Sequence, residues 1–171
     1  KKKIFVAVDT NKISKAKRII KDTQTKKIEV GYKFGLEFFY SNGGRKFISS
    51  LKNKIIFLDL KFNDIPNTLS SALKSLKNLK ITYLTVHISS GLGALRALKK
   101  ASKNIKIAGV TTLTSLNNKD LKEIGYNKKI NELVRHQAKL ATKAKLDAIV
   151  CSGHEIRSVK RVFKKEIITP G

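Results

Sequence analysis

Three charged side chains follow one another closely at the end of an apolar run and could do chemistry together. Asp59 and Lys61 are two residues apart at the end of the run Ile55–Lys61, and Asp64 comes three residues later. In a regular strand, residues two apart share a face, so Asp59 and Lys61 are expected to project together. Two carboxylates and an ammonium held away from water need one another as partners, and such groups are typical of functional sites. The same spacing is also expected of a strand end that carries an ion pair but has no catalytic role.

The elements that position these residues are short strands alternating with helices. Segments between the strands carry apolar residues at three- and four-residue spacing, as an amphipathic helix requires. This alternation predicts parallel βαβ units and an α/β fold. The predicted strands are Ile4–Val8, Ile28–Lys33, Ile55–Lys61, Tyr83–His87, Ile105–Thr111, Ala148–Cys151 and Ile167–Thr169.

Polar side chains at the ends of successive strands favour a TIM-type (β/α) barrel over a doubly wound sheet. Such a barrel builds its site from the loop after every strand, whereas a doubly wound sheet concentrates polar residues at one switch point behind a glycine-rich turn. The first turn here, Val8–Asn11, has no glycine. A barrel has eight strands and ~250 residues, so we expect residues 1–171 to be one domain that is C-terminally incomplete. The polar strand ends are Asp9, Lys33, Asp59 with Lys61, His87, Thr111 with Thr114 and Ser115, and Ser152.

The composition indicates a globular protein with a solvated lysine surface. There are 37 Lys and Arg residues against 12 Asp and Glu, which gives a net charge of +25. The basic residues are almost all lysines spread along the chain, without the interleaved aromatics of a nucleic-acid platform. A basic nucleic-acid-binding module remains an alternative, although an anionic phosphorylated substrate would also be attracted. With no export signal, no membrane-length apolar run and a single cysteine, Cys151, we expect a cytoplasmic protein with no membrane or nucleic-acid partner.

The run Asp59–Thr68 resembles the DxKxxDIPNT signature of the orotidine 5'-monophosphate decarboxylase family. A bare DxKxxD is shared with related sugar-phosphate enzymes, and the ten-residue form is more specific. The resemblance covers essentially the whole chain, in order and spacing. It continues at Val8-Asp9, Gly31–Gly35, Val86-His87, Thr111–Ser115, Val150–Ser152 and Thr169–Gly171.

The resemblance implies decarboxylation of orotidine 5'-monophosphate to uridine 5'-monophosphate in de novo pyrimidine biosynthesis. It assigns Lys61 as the acid that protonates the ring carbon left by carbon dioxide, because a preorganised ammonium stabilises and then quenches the developing carbanion. Asp59 would lie beside the substrate carboxylate. Lys33 would pair with Asp59 and reach the ribose, whose hydroxyls Asp9 would bind.

The resemblance also implies a homodimer in which Asp64, Ile65 and Thr68 reach the site of the neighbouring subunit. No metal or organic cofactor is implied, and the three histidines of the chain are not spaced as a ligand cluster. The further substrate-binding residues that it implies are Thr114 and Ser115, at the pyrimidine edge, and Pro170.

One alternative function stays open. A magnesium-dependent 3-keto-gulonate-phosphate decarboxylase or hexulose-phosphate synthase shares the barrel and the DxKxxD core, although Lys33 and the run Ile65–Thr68 argue against it.

The glutamine and arginine with which the family binds phosphate would lie beyond Gly171. Because remote phosphate binding supplies energy used at the reacting carbon, we expect the 171-residue piece to be nearly inactive and a longer parent to be active.

Overall fold

Between residues 3 and 171, seven strands alternate with helices, and every predicted strand is confirmed to within two residues. The computed structural model describes residues 3–171. In this part of the chain the strands are hydrogen bonded in chain order, from β1 to β7, and the pairings β1–β2, β2–β3, β5–β6 and β6–β7 are parallel. The strands are β1 (Lys3–Ala7), β2 (Glu29–Gly35), β3 (Ile55–Phe62), β4 (Tyr83–His87), β5 (Lys106–Val110), β6 (Ala148–Val150) and β7 (Glu166–Ile168).

Helices occupy the segments between the strands, so the predicted α/β class is confirmed. The helices of residues 3–171 are α1 (Ile13–Asp22), α2 (Leu36–Tyr40), α3 (Gly44–Ser50), α4 (Pro66–Ser75), α5 (Leu92–Ala101), α6 (Asn118–Glu123), α7 (Ile130–Lys143) and α8 (Ile156–Val162). Two short 3-10 helices, Ile88–Ser90 and Gly153–Glu155, follow β4 and β6. None of these helices has the length and apolar character that a membrane crossing requires.

The chain forms two compact units. The first comprises Lys1–Leu60 and Ser75–Leu84, and the second comprises Lys61–Lys74 and Thr85–Gly171. The single domain that the sequence suggests therefore stays a prediction.

The interior of the first unit contains an aromatic cluster from three strands. Phe5 of β1 packs edge-on against Phe57 of β3 at 5.0 Å and against Tyr83 of β4 at 5.2 Å between ring centroids. Gly31 of β2 leaves room for this cluster, since a Cβ atom there would lie 2.8 Å from the Phe5 ring. Asp59 lies two residues beyond Phe57 in β3 and so on the same face of that strand, which places its carboxylate past the aromatic layer.

Two features stabilise the second unit: the buried face of helix α7 and the carboxylate of Asp147. Helix α7 has five buried positions at helical spacing, Leu133, Val134, Gln137, Ala138 and Ala141, and one of them is polar. Asp147, just before β6, accepts a hydrogen bond from the Lys99 ammonium at 2.6 Å and from the Ile107 amide at 2.9 Å. This one carboxylate therefore connects α5, β5 and the start of β6.

Candidate active site

The register of the first three strands places one lysine between two aspartates. Lys33 of β2 is the register partner of Ala7 in β1 and of Phe57 in β3. An aspartate follows two residues after each of these partners, and residues two apart share a strand face. The Lys33 ammonium accordingly lies 3.7 Å from Asp9 Oδ1 and 3.6 Å from Asp59 Oδ2. The structure thus brings three of the sequence-predicted site residues together.

The two ion pairs of this Lys33 cluster differ in their shielding from water. The Asp59 side chain is 14% exposed, whereas that of Asp9 is 68% exposed. An ion pair in open solvent is screened and contributes about 1 kcal/mol or less, so the Asp9 pair is weak and leaves that carboxylate available to other donors. The Asp59 pair lies in a more shielded setting. The arrangement can offer three groups to a polar ligand. They are the Lys33 ammonium, the shielded carboxylate of Asp59, and the exposed carboxylate of Asp9, which can accept hydrogen bonds from hydroxyl groups.

Lys61, in the second unit, has an unusual backbone conformation for a strand residue. Its φ is +47°, in the left-handed region, which costs a non-glycine residue on the order of 1–3 kcal/mol. The alternation rule that predicts a shared face for Asp59 and Lys61 assumes a regular strand, so it does not fix the direction of the Lys61 side chain. The amide of Lys61 donates a hydrogen bond of 2.8 Å to Thr85 Oγ1 of β4.

The segment Asn63–Thr68, which comprises the loop after β3 and the first residues of α4, is solvent-exposed. Asp64 accepts a hydrogen bond from the next amide, that of Ile65, at 2.7 Å. Ile65 is 65% exposed, so it presents a large aliphatic surface to solvent. The loop is joined to the segment after β4 because Ser90 Oγ donates to Asn63 Oδ1 at 2.8 Å.

The loop after β5 is anchored at its base and exposed at its tip. The buried Gln137 of α7 accepts hydrogen bonds through Oε1 from the amide of Thr112 at 2.9 Å and from its hydroxyl at 3.2 Å. Thr114 and Ser115 lie in an exposed turn two and three residues further on. Pro170, beyond β7, is also exposed.

The loop after β6 is closed by a buried glutamate. Glu155 accepts a hydrogen bond from the amide of Ser152 at 3.0 Å, and the two residues form a reciprocal cap on the short 3-10 helix. Burial raises the pKa of the Glu155 carboxyl, against the opposing effects of that hydrogen bond and of His154. Burial also raises the pKa of the Cys151 thiol to about 11, and the nearby charge of Glu155 adds to the shift.

Sequence reasoning missed two residues that support the candidate site, Thr85 and Gln137. Thr85 is fully buried, and Gln137 is 6% exposed. The available signal was weak, because a threonine is common in strands and a glutamine in a helix usually faces solvent. In both positions the polar side chain interrupts an otherwise apolar buried set, and buried polar groups are almost always hydrogen bonded. That interruption is the sign that could have identified them.

Comparison with known proteins connects these features with one family. The family model described as "Orotidine 5'-phosphate decarboxylase / HUMPS family" matches residues 2–171. The chain belongs to the orotidine 5'-phosphate decarboxylase / HUMPS family. Since that description joins decarboxylases with HUMPS proteins, the individual relatives bear on which of the two this chain resembles more.

The curated relatives with high similarity carry the decarboxylase name. A protein of Carboxydothermus hydrogenoformans named orotidine 5'-phosphate decarboxylase is 37% identical over 177 residues, covering 98% of this chain and 72% of its own length. One of Prochlorococcus marinus strain AS9601, with the same name, is 40% identical over 183 residues, covering 99% and 74%. The chain therefore spans about three quarters of the length of these family members.

Solved structures of the family share the fold. The orotidine 5'-phosphate decarboxylase of Lactobacillus acidophilus superposes with a TM-score of 0.90 at 29% identity, covering 100% of this chain and 81% of that one. The enzyme of Methanocaldococcus jannaschii, complexed with the inhibitor BMP, superposes with a TM-score of 0.81 over 98% of this chain and 77% of that one. At 24% identity, the second likeness speaks for the fold alone. The TIM-type barrel class expected from the strand ends is confirmed.

Proposed function

We propose that this protein decarboxylates orotidine 5'-monophosphate to uridine 5'-monophosphate, a step of pyrimidine biosynthesis. The observation that carries the proposal is the ion pair between Lys33 and Asp59, because Asp59 opens the signature run Asp59–Thr68 at the carboxyl end of β3. Relatives 37% and 40% identical over nearly the whole chain bear the name of this enzyme. The magnesium-dependent sugar-phosphate enzymes are not favoured.

In the proposed reaction the bond between the pyrimidine ring and its carboxylate breaks, and the electron pair stays on the ring carbon while carbon dioxide leaves. Lys61 donates a proton to that carbon and is reprotonated by solvent. An ammonium fixed where negative charge develops lowers the barrier, since it is already oriented when the charge appears. Asp59, beside the departing carboxylate, favours its loss by like-charge proximity.

The remaining candidate residues are proposed to bind the nucleotide. Lys33 reaches the ribose while it pairs with Asp59, and Asp9 accepts hydrogen bonds from the ribose hydroxyls, a role supported by its exposed carboxylate. Thr114 and Ser115 read the pyrimidine edge from the exposed turn after β5. Pro170 contacts the substrate after β7. The net charge of +25 raises the local concentration of an anionic nucleotide, and we propose no nucleic-acid partner.

We further propose a cytoplasmic homodimer in which Asp64, Ile65 and Thr68 reach the neighbouring subunit's site. The exposure of the whole segment Asn63–Thr68, and of Ile65 in particular, supports this because covering a large exposed aliphatic residue with a partner lowers the free energy. The cytoplasmic location is supported by the single free cysteine, Cys151.

The test is a turnover assay on the complete gene product that contains this sequence. Loss of the orotidine 5'-monophosphate absorbance is followed with a chelator present and again with magnesium added, beside a hexulose phosphate as the competing substrate. Chelator-resistant turnover of the nucleotide is expected. Turnover of only the sugar phosphate, and only with magnesium, would place the protein with the HUMPS enzymes instead.

A further inference from the structure

The backbone at Lys61 differs from every other left-handed position of a non-glycine residue in the described part of the chain. The others, Asn53, Lys103 and Lys145, have φ values of +56°, +46° and +58° and lie in turns or bends. Left-handed residues are ordinary in such turns. Lys61 alone among these four lies within a strand, β3. A conformation that is unfavourable for lysine persists in a strand only where the surroundings hold it in place.

One group that holds it is the hydroxyl of Thr85. Strand amides in a parallel sheet ordinarily donate to carbonyls of the neighbouring strand. The Lys61 amide donates to a side-chain oxygen, Thr85 Oγ1, at 2.8 Å. Thr85 is fully buried, so water cannot readily replace its hydroxyl oxygen as the acceptor of this bond. The hydroxyl therefore favours the left-handed conformation at Lys61 over a regular strand conformation.

We propose that Thr85 is a positioning residue for the proton donor. By accepting from the Lys61 amide it fixes the backbone from which the ammonium projects, and so places the ammonium at the carbon that must be protonated. This inference rests on the proposed function of Lys61. Thr85 itself touches no reacting atom, so its substitution alters the chemical step through Lys61 and leaves nucleotide binding in place.

The chain supplies a matched control in Thr82. Its Oγ1 also accepts a hydrogen bond from an amide of β3, that of Ile56, at 3.3 Å. Ile56 lies near the start of the strand and Lys61 near its end. Thr82→Val therefore removes the same kind of bond from the same strand, away from the catalytic lysine.

The experiment compares Thr85→Val, Thr85→Ser and Thr82→Val in the complete gene product. Thr85→Val is expected to lower kcat by ~10- to 100-fold, since small misplacement of a catalytic group has effects of this size, while KM changes by less than about threefold. Thr85→Ser keeps the hydroxyl oxygen, so its kcat is expected to stay within about threefold of the wild-type value. Thr82→Val is expected to have the wild-type kcat. An unchanged kcat in Thr85→Val, or a serine variant as slow as the valine variant, overturns the proposal.

Two provisions keep the outcome decisive. Should Thr85→Val not fold, Thr85→Ala removes the oxygen without placing a methyl group against the amide. Should the wild-type protein not turn over the nucleotide, the proposed function fails separately, and the positioning role is read from the acetylation rate of the Lys61 amine by mass spectrometry. A rate changed in the Thr85 variant and not in Thr82→Val supports positioning, and equal rates in both overturn it.

Discussion

At the scale of single residues, the position of Lys33 follows from strand register. Its two register partners are each followed by an aspartate two residues later, so two carboxylates lie within 3.7 Å of one ammonium. No long-range rearrangement is needed to assemble this cluster once the three strands pair. The local sequence and the parallel register together account for it.

Cys151 allows a prediction at the same scale. Its thiol is 1% exposed, and burial followed by the charge of Glu155 raises its pKa to about 11 from an ordinary value of 9.0. At pH 8 the folded protein therefore holds ~100-fold less thiolate than the unfolded chain. Alkylation by iodoacetamide, followed by mass spectrometry, is expected to be at least ~100-fold slower in native protein than in guanidinium.

The same shift has a defined sign for stability. Because the folded pKa is raised, the contribution of the thiol to stability is present below pH 9.0 and is lost as the pH rises towards about 11. Glu155→Gln removes one of the two causes and should speed alkylation of the native protein. Equal alkylation rates in native and unfolded wild-type protein would contradict the account.

At the scale of elements, helix α7 anchors the loop that carries Thr114 and Ser115. It does so through Gln137, the polar member of its buried face, which accepts two hydrogen bonds from Thr112. The helix thus fixes the base of the loop while the tip stays exposed. Under the proposed function, the contact of Thr114 and Ser115 with the pyrimidine therefore depends on the packing of Gln137 against Thr112.

Replacing Gln137 tests this anchor. Gln137→Leu keeps the size of the side chain but leaves the Thr112 amide and hydroxyl without this acceptor, so the free energy of unfolding should fall by about 1–3 kcal/mol. Urea denaturation at constant m value measures the change. The exposed Gln24 offers a matched control, in which Gln24→Leu should change stability by no more than about 0.5 kcal/mol. Equal effects of the two substitutions would refute the anchoring role.

The elements were predictable from sequence, but part of the site was not. β-branched runs separated by segments with helical spacing predict each of the seven strands in residues 3–171, since these patterns follow from the local geometry of each element. Thr85 and Gln137 escaped prediction because their hydrogen-bond partners lie 24 and 25 residues away. The left-handed φ of Lys61 was not predictable for the same reason, because the hydrogen bond that supports it comes from Thr85 on another strand.

At the scale of the whole molecule, the net charge and the proposed dimer both affect how the nucleotide is bound. The chain has a net charge of +25, but salt screens exposed charges beyond about 8 Å at physiological ionic strength. Lysines far from the site therefore help to attract a nucleotide but do not hold it. Under the proposed dimer, each complete site needs residues from two subunits, since Asp64 acts on the neighbouring one.

Mixing two inactive variants tests this sharing. Lys61→Ala and Asp64→Asn are each expected to be nearly inactive, yet a mixed dimer has one site with both native residues. Random reassembly of equal amounts should recover about a quarter of wild-type activity, because half of the dimers are mixed and each has one intact site.

A second mixture is the control for subunit exchange. Under the same proposal, Asp59 and Lys61 act in one subunit's site, so mixing Asp59→Asn with Lys61→Ala should recover no activity. Absence of recovery with Asp64→Asn, after exchange has been verified by mass spectrometry, would rule out the shared site.

The central claim is that Lys61 protonates the ring carbon during loss of carbon dioxide from orotidine 5'-monophosphate. The most direct measurement is the turnover of this nucleotide by the complete gene product, compared between wild type, Lys61→Ala and the exposed-lysine control Lys52→Ala. We predict chelator-resistant turnover in wild type and Lys52→Ala, and a loss of at least ~10⁴-fold in Lys61→Ala. Turnover by Lys61→Ala within tenfold of wild type would contradict the account.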